Sequence, residues 1–267
     1  MADQKASDRQ VELAGQDNFR DLGGYQTSDG RRVRWRHLYR SGELTELSDG
    51  DVEKLAELGI RTVVDLRGES EVAKKGPDRL PPGASLTSIA IEPGDLWPIL
   101  APAFATGDFS VVPEDLLLQI NREYIRDWRH KLGSLLHVAA DPANCPLVFH
   151  CTQGKDRAGI NAAMLLSALG VPWETVVEDY LLSNRQRRAQ ADAGFKTMRA
   201  SAARQRGIAP EEVDMGNIRG LFFVHASYLG AAHDEITNEY GSVEAFIRDG
   251  IGWSDSDLRR LRDGLLE

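Results

Sequence analysis

The chain has 267 residues, 42% of them hydrophobic, which suffices for one large domain or two small ones around a sizeable core. A formal charge of −9 excludes the global basic field that nucleic acid or an anionic membrane would require, so any attraction for phosphate must be local. No stretch approaches the roughly 18 apolar residues that span a bilayer, so no integral membrane association is expected. Residues 1–16 are polar and lack the apolar centre of a signal peptide, and no lipidation motif is visible. This reads as a soluble protein, cytoplasmic or exported without a cleaved leader. The two cysteines, Cys145 and Cys151, form no disulfide framework and fit a reduced compartment.

Taken in order, residues 1–16 read as a flexible tail and residues 17–267 as a single domain. The turn signals Gly23-Gly24 and Ser28-Asp29-Gly30 suggest a short hairpin. Residues 38–41 form a candidate strand. Ser48 opens a helix with Val52, Leu55 and Leu58 at helical spacing, closed by Gly59. Residues 62–66 are a short apolar strand, and residues 86–91 another candidate. Residues 93–113 hold four prolines and read as an irregular surface excursion. The stripe Leu117, Ile120, Tyr124, Trp128, Leu132 and Leu135 predicts one long helix from about Glu114, buried as core.

An apolar run from Pro146 to Phe149 leads into His150-Cys151-Thr152-Gln153-Gly154-Lys155-Asp156-Arg157-Ala158-Gly159, and a helical pattern leads out. Strand, tight loop and helix are implied. Beyond it, Pro172 opens a helix to Asn184. Residues 185–206 are helical in propensity with only Phe195 and Met198 as large apolar anchors, which suggests a weakly docked cover. The C-terminal third reads as all helical. Strands alternating with helices imply an α/β protein with a central, mainly parallel sheet flanked by helices. Ligands then bind beyond the carboxyl ends of the strands, where Asp65 and Cys151 fall.

The loop carries the chemistry. Five residues separate Cys151 from Arg157, enough to wrap one tetrahedral dianion. Backbone N–H groups of Thr152, Gln153, Gly154 and Lys155, with Ala158 and Gly159 in the first turn of the next helix, form the expected phosphate nest. Arg157 supplies a planar fork for two phosphate oxygens. The same field favours Cys151 as thiolate, the nucleophilic form. A buried inert Cys would not need Gly154, Lys155, Asp156, Arg157 and Gly159 in succession.

His-Cys, two variable residues, then Gly-Lys-Asp-Arg resembles the loop of the bacterial atypical tyrosine and phosphoinositide phosphatases. Residues 18–25, residues 38–44, Val64-Asp65-Leu66-Arg67 with Glu71, and residues 179–184 also look like signatures of that family. The resemblance implies a cysteine-phosphatase fold with a helical C-terminal third, no metal and no cofactor. It implies hydrolysis of a phosphoprotein or a phosphoinositide, and a helical lid at residues 185–206; a small phosphate ester, such as a soluble inositol phosphate or nucleotide, is the alternative substrate. Lys155 is a candidate for a second phosphate, and His150 for orienting the loop. Asp156 and Asp65 compete as general acid. A neighbouring dianion favours the proton-bearing form of Asp156. Asp65 could equally be an ion-pair partner of an arginine such as Arg20, Arg40 or Arg67. Arg20 reads as structural. The chain departs from the family at Ala158, where a Thr or Ser is expected. A protein that holds phosphate without turning it over is the alternative that this departure supports.

Overall fold

A computed structural model describes residues 9–92 and 96–267. Five short strands form one sheet: β1 (Arg20–Asp21), β2 (Leu38–Ser41), β3 (Thr62–Asp65), β4 (Ser85–Ser88) and β5 (Leu147–His150). The spatial order is β1-β2-β5-β3-β4. Only β1 pairs antiparallel; β2, β5, β3 and β4 run parallel, with Ser41, Asp65 and His150 aligned at one edge. The expected mainly parallel sheet flanked by helices is therefore present. β2, β3 and β5 are buried at every position, as strands covered on both faces must be.

The helices follow in chain order. α1 (Asp49–Glu57) is closed at its start by a capping box between Ser48 and Asp51. α2 (Glu69–Lys75) follows β3, α3 (Trp97–Thr106) follows β4, and α4 (Leu116–Arg126) and α5 (Arg129–Ala139) precede β5. α6 (Arg157–Ala168) leaves the catalytic loop, followed by α7 (Trp173–Gln186) and α8 (Arg188–Arg206). α9 (Ala226–Tyr240), α10 (Val243–Ala245) and α11 (Asp255–Leu265) complete the chain. α6 is buried at eleven of its twelve positions and is the central helix of the main hydrophobic cluster. A smaller cluster around Phe19, Tyr39, Val63 and Val148 fills the other face of the sheet.

Three expectations are corrected. Residues 9–16 are not loose: Arg9 donates to the Gly23 carbonyl, and the Ala14 and Gly15 amides bind the Asp51 carboxylate at 2.7 and 3.0 Å. Residues 1–8 lie outside the described residues. The excursion at 93–113 contains α3 and a 3-10 turn at Phe109–Val111, because Pro98 sits in the first turn, where a missing N–H costs nothing. The long helix is two, α4 and α5, broken at Asp127 and Trp128. The expected short hairpin is present: Val33 N–H donates to the Tyr25 carbonyl and Thr27 N–H to the Arg31 carbonyl, both at 2.9 Å, with a turn at residues 28–30 and an antiparallel bridge between Gln26 and Arg32.

Candidate active site

The loop from Cys151 to Arg157 leaves the carboxyl end of β5 and enters α6. Gly154 has φ +68, and a Cβ there would lie 2.5 Å from the Ser41 carbonyl, so no larger residue fits this turn. The outward-turned carbonyls of the loop are all claimed. Asn18 Nδ2 donates to those of Gln153 and Gly154 at 3.1 and 3.0 Å, Arg40 Nη2 to that of Gly154 at 2.8 Å, and the Glu43 amide to that of Thr152. A peptide's N–H points opposite to its C=O. Among the described residues, the amides of Thr152, Gln153, Gly154, Lys155 and Asp156 donate to no acceptor. The result is a nest of convergent N–H groups at a helix N-terminus.

Cys151 is 2% exposed within this nest. Arg157 reaches back across it. Its Nη1 and Nη2 bind both Glu71 oxygens, the Nη2 bond at 2.7 Å, and Nη1 also donates to the Ile91 carbonyl at 3.2 Å. Glu71 accepts from the Thr152 hydroxyl as well. Burial pushes Glu71 upward, but the Arg157 bonds and charge outweigh it and hold the carboxyl down to about 2. Burial opposes the charge on Arg157, and Glu71 with Cys151 more than offsets that. Nη2 also reaches the Thr152 hydroxyl, at 3.4 Å, while Nε has no acceptor among the described residues and is the guanidinium's uncommitted donor.

The sequence-assigned residues separate into distinct roles. Asp156 stands at the N-cap position of α6 without a side-chain capping bond; its Oδ2 lies 3.3 Å from Lys155 Nζ, and its buried Oδ1 has no hydrogen-bond partner. Asp65 is committed elsewhere: both of its oxygens bind Arg67, at 2.8 to 3.1 Å. Arg67 also binds Asp78 at 2.9 Å. His150 Nε2 meets the other Asp78 oxygen at 2.9 Å, so His150 is fixed by Asp78 and braces the strand end. Asp65, Asp78 and His150 stand close enough to share an ion, but the Arg67 guanidinium already pairs with both carboxylates.

Lys155 is neither a solvated lysine nor a free arm. It is 2% exposed, donates to the Gly220 carbonyl at 2.6 Å, and is pushed down by burial against the pull of Asp156. Its ammonium is committed to the Gly220 carbonyl and the Asp156 carboxylate in this arrangement. The Ala158 side chain is fully buried in the main hydrophobic cluster, which also holds Cys151. A Cβ on Gly159 would meet the Tyr180 ring at 2.7 Å, so this glycine serves close packing of α6 on α7.

Arg20 is structural. It binds Asp179 through Nε at 3.2 Å, and Arg40 binds the same carboxylate at 2.7 Å, with the Tyr25 hydroxyl donating at 3.0 Å. Burial raises Asp179, yet the two arginines bring it to about 2. Four supporting groups went unassigned in sequence terms: Asn18, Asp78, Asp179 and Arg187. Each is polar and buried, and partners as far apart as Asn18 and Gly154 share no local pattern. Arg187 is bonded to Gln190 Oε1, and its buried charge feels Asp156 and Cys151. Cys145 stands at the opposite end of β5, about six residues of strand from Cys151, beyond disulfide reach.

A buried cysteine in a ring of free amides, faced by an arginine fork, defines a cysteine-dependent phosphatase of phosphate monoesters. Residues 11–267 match the model of the tyrosine phosphatase family, and the chain belongs to that family. The triple specificity protein phosphatase PtpB of Mycobacterium tuberculosis is 32% identical over 281 residues, 96% of this chain and 98% of that one. An inferred tyrosine-protein phosphatase of Cupriavidus necator is 33% identical over 248 residues, 92% of this chain and 84% of that one. The solved catalytic core of Siw14 aligns over 79% of this chain and 94% of its own, at 16% identity and a TM-score of 0.37.

Proposed function

We propose that the protein hydrolyses phosphotyrosine and phosphoinositide monoesters through a cysteinyl-phosphate. The free amides of residues 152–156 carry this reading, since buried N–H groups without acceptors are costly unless an anion is their purpose. Cys151 attacks phosphorus and the ester oxygen departs. The loop amides and the Arg157 guanidinium hold the equatorial oxygens as charge develops. Asp156 gives its proton to the leaving oxygen and then draws one from the water that cleaves the thiophosphate bond. Its unpartnered Oδ1 supports this role, whereas the paired oxygens of Asp65 support an ion pair.

Phosphate release from phosphotyrosine peptides, phosphoinositides and soluble inositol phosphates, with Cys151→Ser as control, tests the reading. Turnover of the first two classes, abolished by Cys151→Ser and unaffected by a chelator, is expected. Wild-type turnover surviving Cys151→Ser would overturn the mechanism, and turnover restricted to soluble phosphates would overturn the substrate assignment.

A further inference from the structure

With Lys155 held on the Gly220 carbonyl, the structure offers another cation for a second anion. Arg219, the neighbour of Gly220, lines a cleft of about 370 Å³ together with Arg188, Phe223, His225 and Tyr228. Its guanidinium lies over the Phe223 ring at 4.7 Å and near the Phe195 ring at 5.7 Å. Stacking holds the plane while leaving the in-plane N–H donors free. Among the described residues the Arg219 side chain makes no hydrogen bond and no ion pair. The cleft adjoins the catalytic loop at Gly220. Lys155 Nζ meets the Gly220 carbonyl at 2.6 Å, and Tyr228, whose hydroxyl lies against Gly220, feels both the Asp156 carboxylate and the Arg219 charge.

The charge around Arg219 decides which side an anion would take. On one side a neighbouring cleft presents Glu211, Glu212 and Asp214, which repel anions. On the other stand Arg188 and His225, with Asp192 as the acidic residue of the cleft lining. Arg188 has one bond, to Asp192 at 2.8 Å, with both side chains more than half exposed. Such a pair contributes little and yields readily to a stronger acceptor.

We propose that this cleft is a second anion site: while one phosphoryl group of a substrate sits on Cys151, another on the same molecule is gripped by Arg219, with Arg188 and His225 beside it. The inference rests on the phosphatase reading and adds that, among its substrates, compact molecules bearing two phosphoryl groups are held at both sites.

The test compares soluble inositol bisphosphates with p-nitrophenyl phosphate in wild type, Arg219→Gln and Arg219→Lys, with melting temperature as a check on folding. The Gln amide still stacks on Phe223 but carries no charge. The ratio of kcat/KM, bisphosphate over p-nitrophenyl phosphate, should fall about tenfold in Arg219→Gln, mostly through KM, and recover in part in Arg219→Lys. A ratio unchanged in Arg219→Gln overturns the site. The same headgroup presented on phosphatidylcholine vesicles should show the same fall; a fall confined to vesicles would mean that Arg219 meets the membrane and overturns it too. Calorimetric titration of inositol bisphosphate into Cys151→Ser, with and without Arg219→Gln, reads the site without turnover. A wild type inactive on every ester refutes the phosphatase reading, while an Arg219-dependent loss of binding in that titration still upholds the site.

Discussion

At the residue scale, two carboxylates with equal claims in the sequence part company. Asp156 keeps a buried oxygen without a partner at the mouth of the nest, while Asp65 is closed on Arg67. Asp156→Asn should therefore cost about 10²–10⁴ in kcat for a poor leaving group such as tyrosine and far less for an acidic phenol. Asp65→Asn should instead lower the melting temperature, by roughly 1–3 kcal/mol of stability, because Arg67 loses one of its acceptors. Steady-state rates across a leaving-group series, with thermal melts of both variants, check this pair. The reverse pattern would exchange the two roles.

Ala158 makes a second claim at this scale. A hydroxyl at the start of α6 would donate to the Cys151 sulfur as that thiolate departs from cysteinyl-phosphate. Such a bond to a charged group contributes about 1.5–3 kcal/mol, so its absence should slow the second half-reaction about tenfold or more. Stopped-flow measurement should show a burst of p-nitrophenol followed by a slow steady rate. Ala158→Ser should raise that steady rate. Serine is the informative substitution, because the site is fully buried and threonine would overpack it. Absence of a burst, with no gain from serine, would reject the account.

At the element scale, α6 and α8 are opposites. α6 is buried along nearly its whole length, whereas α8 buries only Ala191, Ala202 and Ala203 of nineteen residues. Its larger contact is Phe195 on Phe222 and Phe223, ring centroids 5.4 and 5.7 Å apart. A helix with so little apolar burial opens at low cost. We therefore expect amide exchange in α8 to be markedly faster than in α6 and to slow when vanadate binds, as a cover closing on the site would require. Equal protection of the two helices in the free protein would argue against a lid. The break between α7 and α8 at Arg187 puts a buried cation where that cover begins.

At the scale of the whole molecule, one carboxylate ties the sheet to the catalytic loop. Asp179 on α7 holds Arg20 of β1 and Arg40 of β2, and Arg40 in turn holds the Gly154 carbonyl. Asp179→Asn would leave two buried guanidinium groups short of charge. A loss of about 3–5 kcal/mol is expected, together with weaker vanadate binding. The folded carboxyl sits at about 2, below its ordinary 3.8. Its contribution is therefore complete above pH 4 and is lost as pH falls from about 4 through 2, a window worth roughly 2–3 kcal/mol. Denaturant melts between pH 2 and 6 should show a slope that is shallower in Asp179→Asn than in wild type, with Glu71 supplying part of what remains.

By itself the sequence determined the local chemistry: the apolar run into β5, the glycine-permitted turn at Gly154, and the Cys151 and Arg157 spacing that wraps a dianion. It also determined the parallel sheet, because short apolar strands separated by helical stretches have few other ways to bury both faces. Periodicity was less informative where two elements share one stripe. The apolar face from Leu117 to Leu135 is continuous, yet the chain turns at Asp127 and Trp128 between α4 and α5. Only the tertiary structure decided which charges face one another. Asp65 reaches Arg67 from two residues away, but Glu71 meets Arg157 across 86 positions and Asp179 meets Arg20 across 159. Lys155 looked free because a lysine in a loop ordinarily reaches water, and the carbonyl that captures it belongs to Gly220, 65 residues on. Ion pairing in a buried site depends on which side chains the fold desolvates together, and sequence spacing carries no record of that.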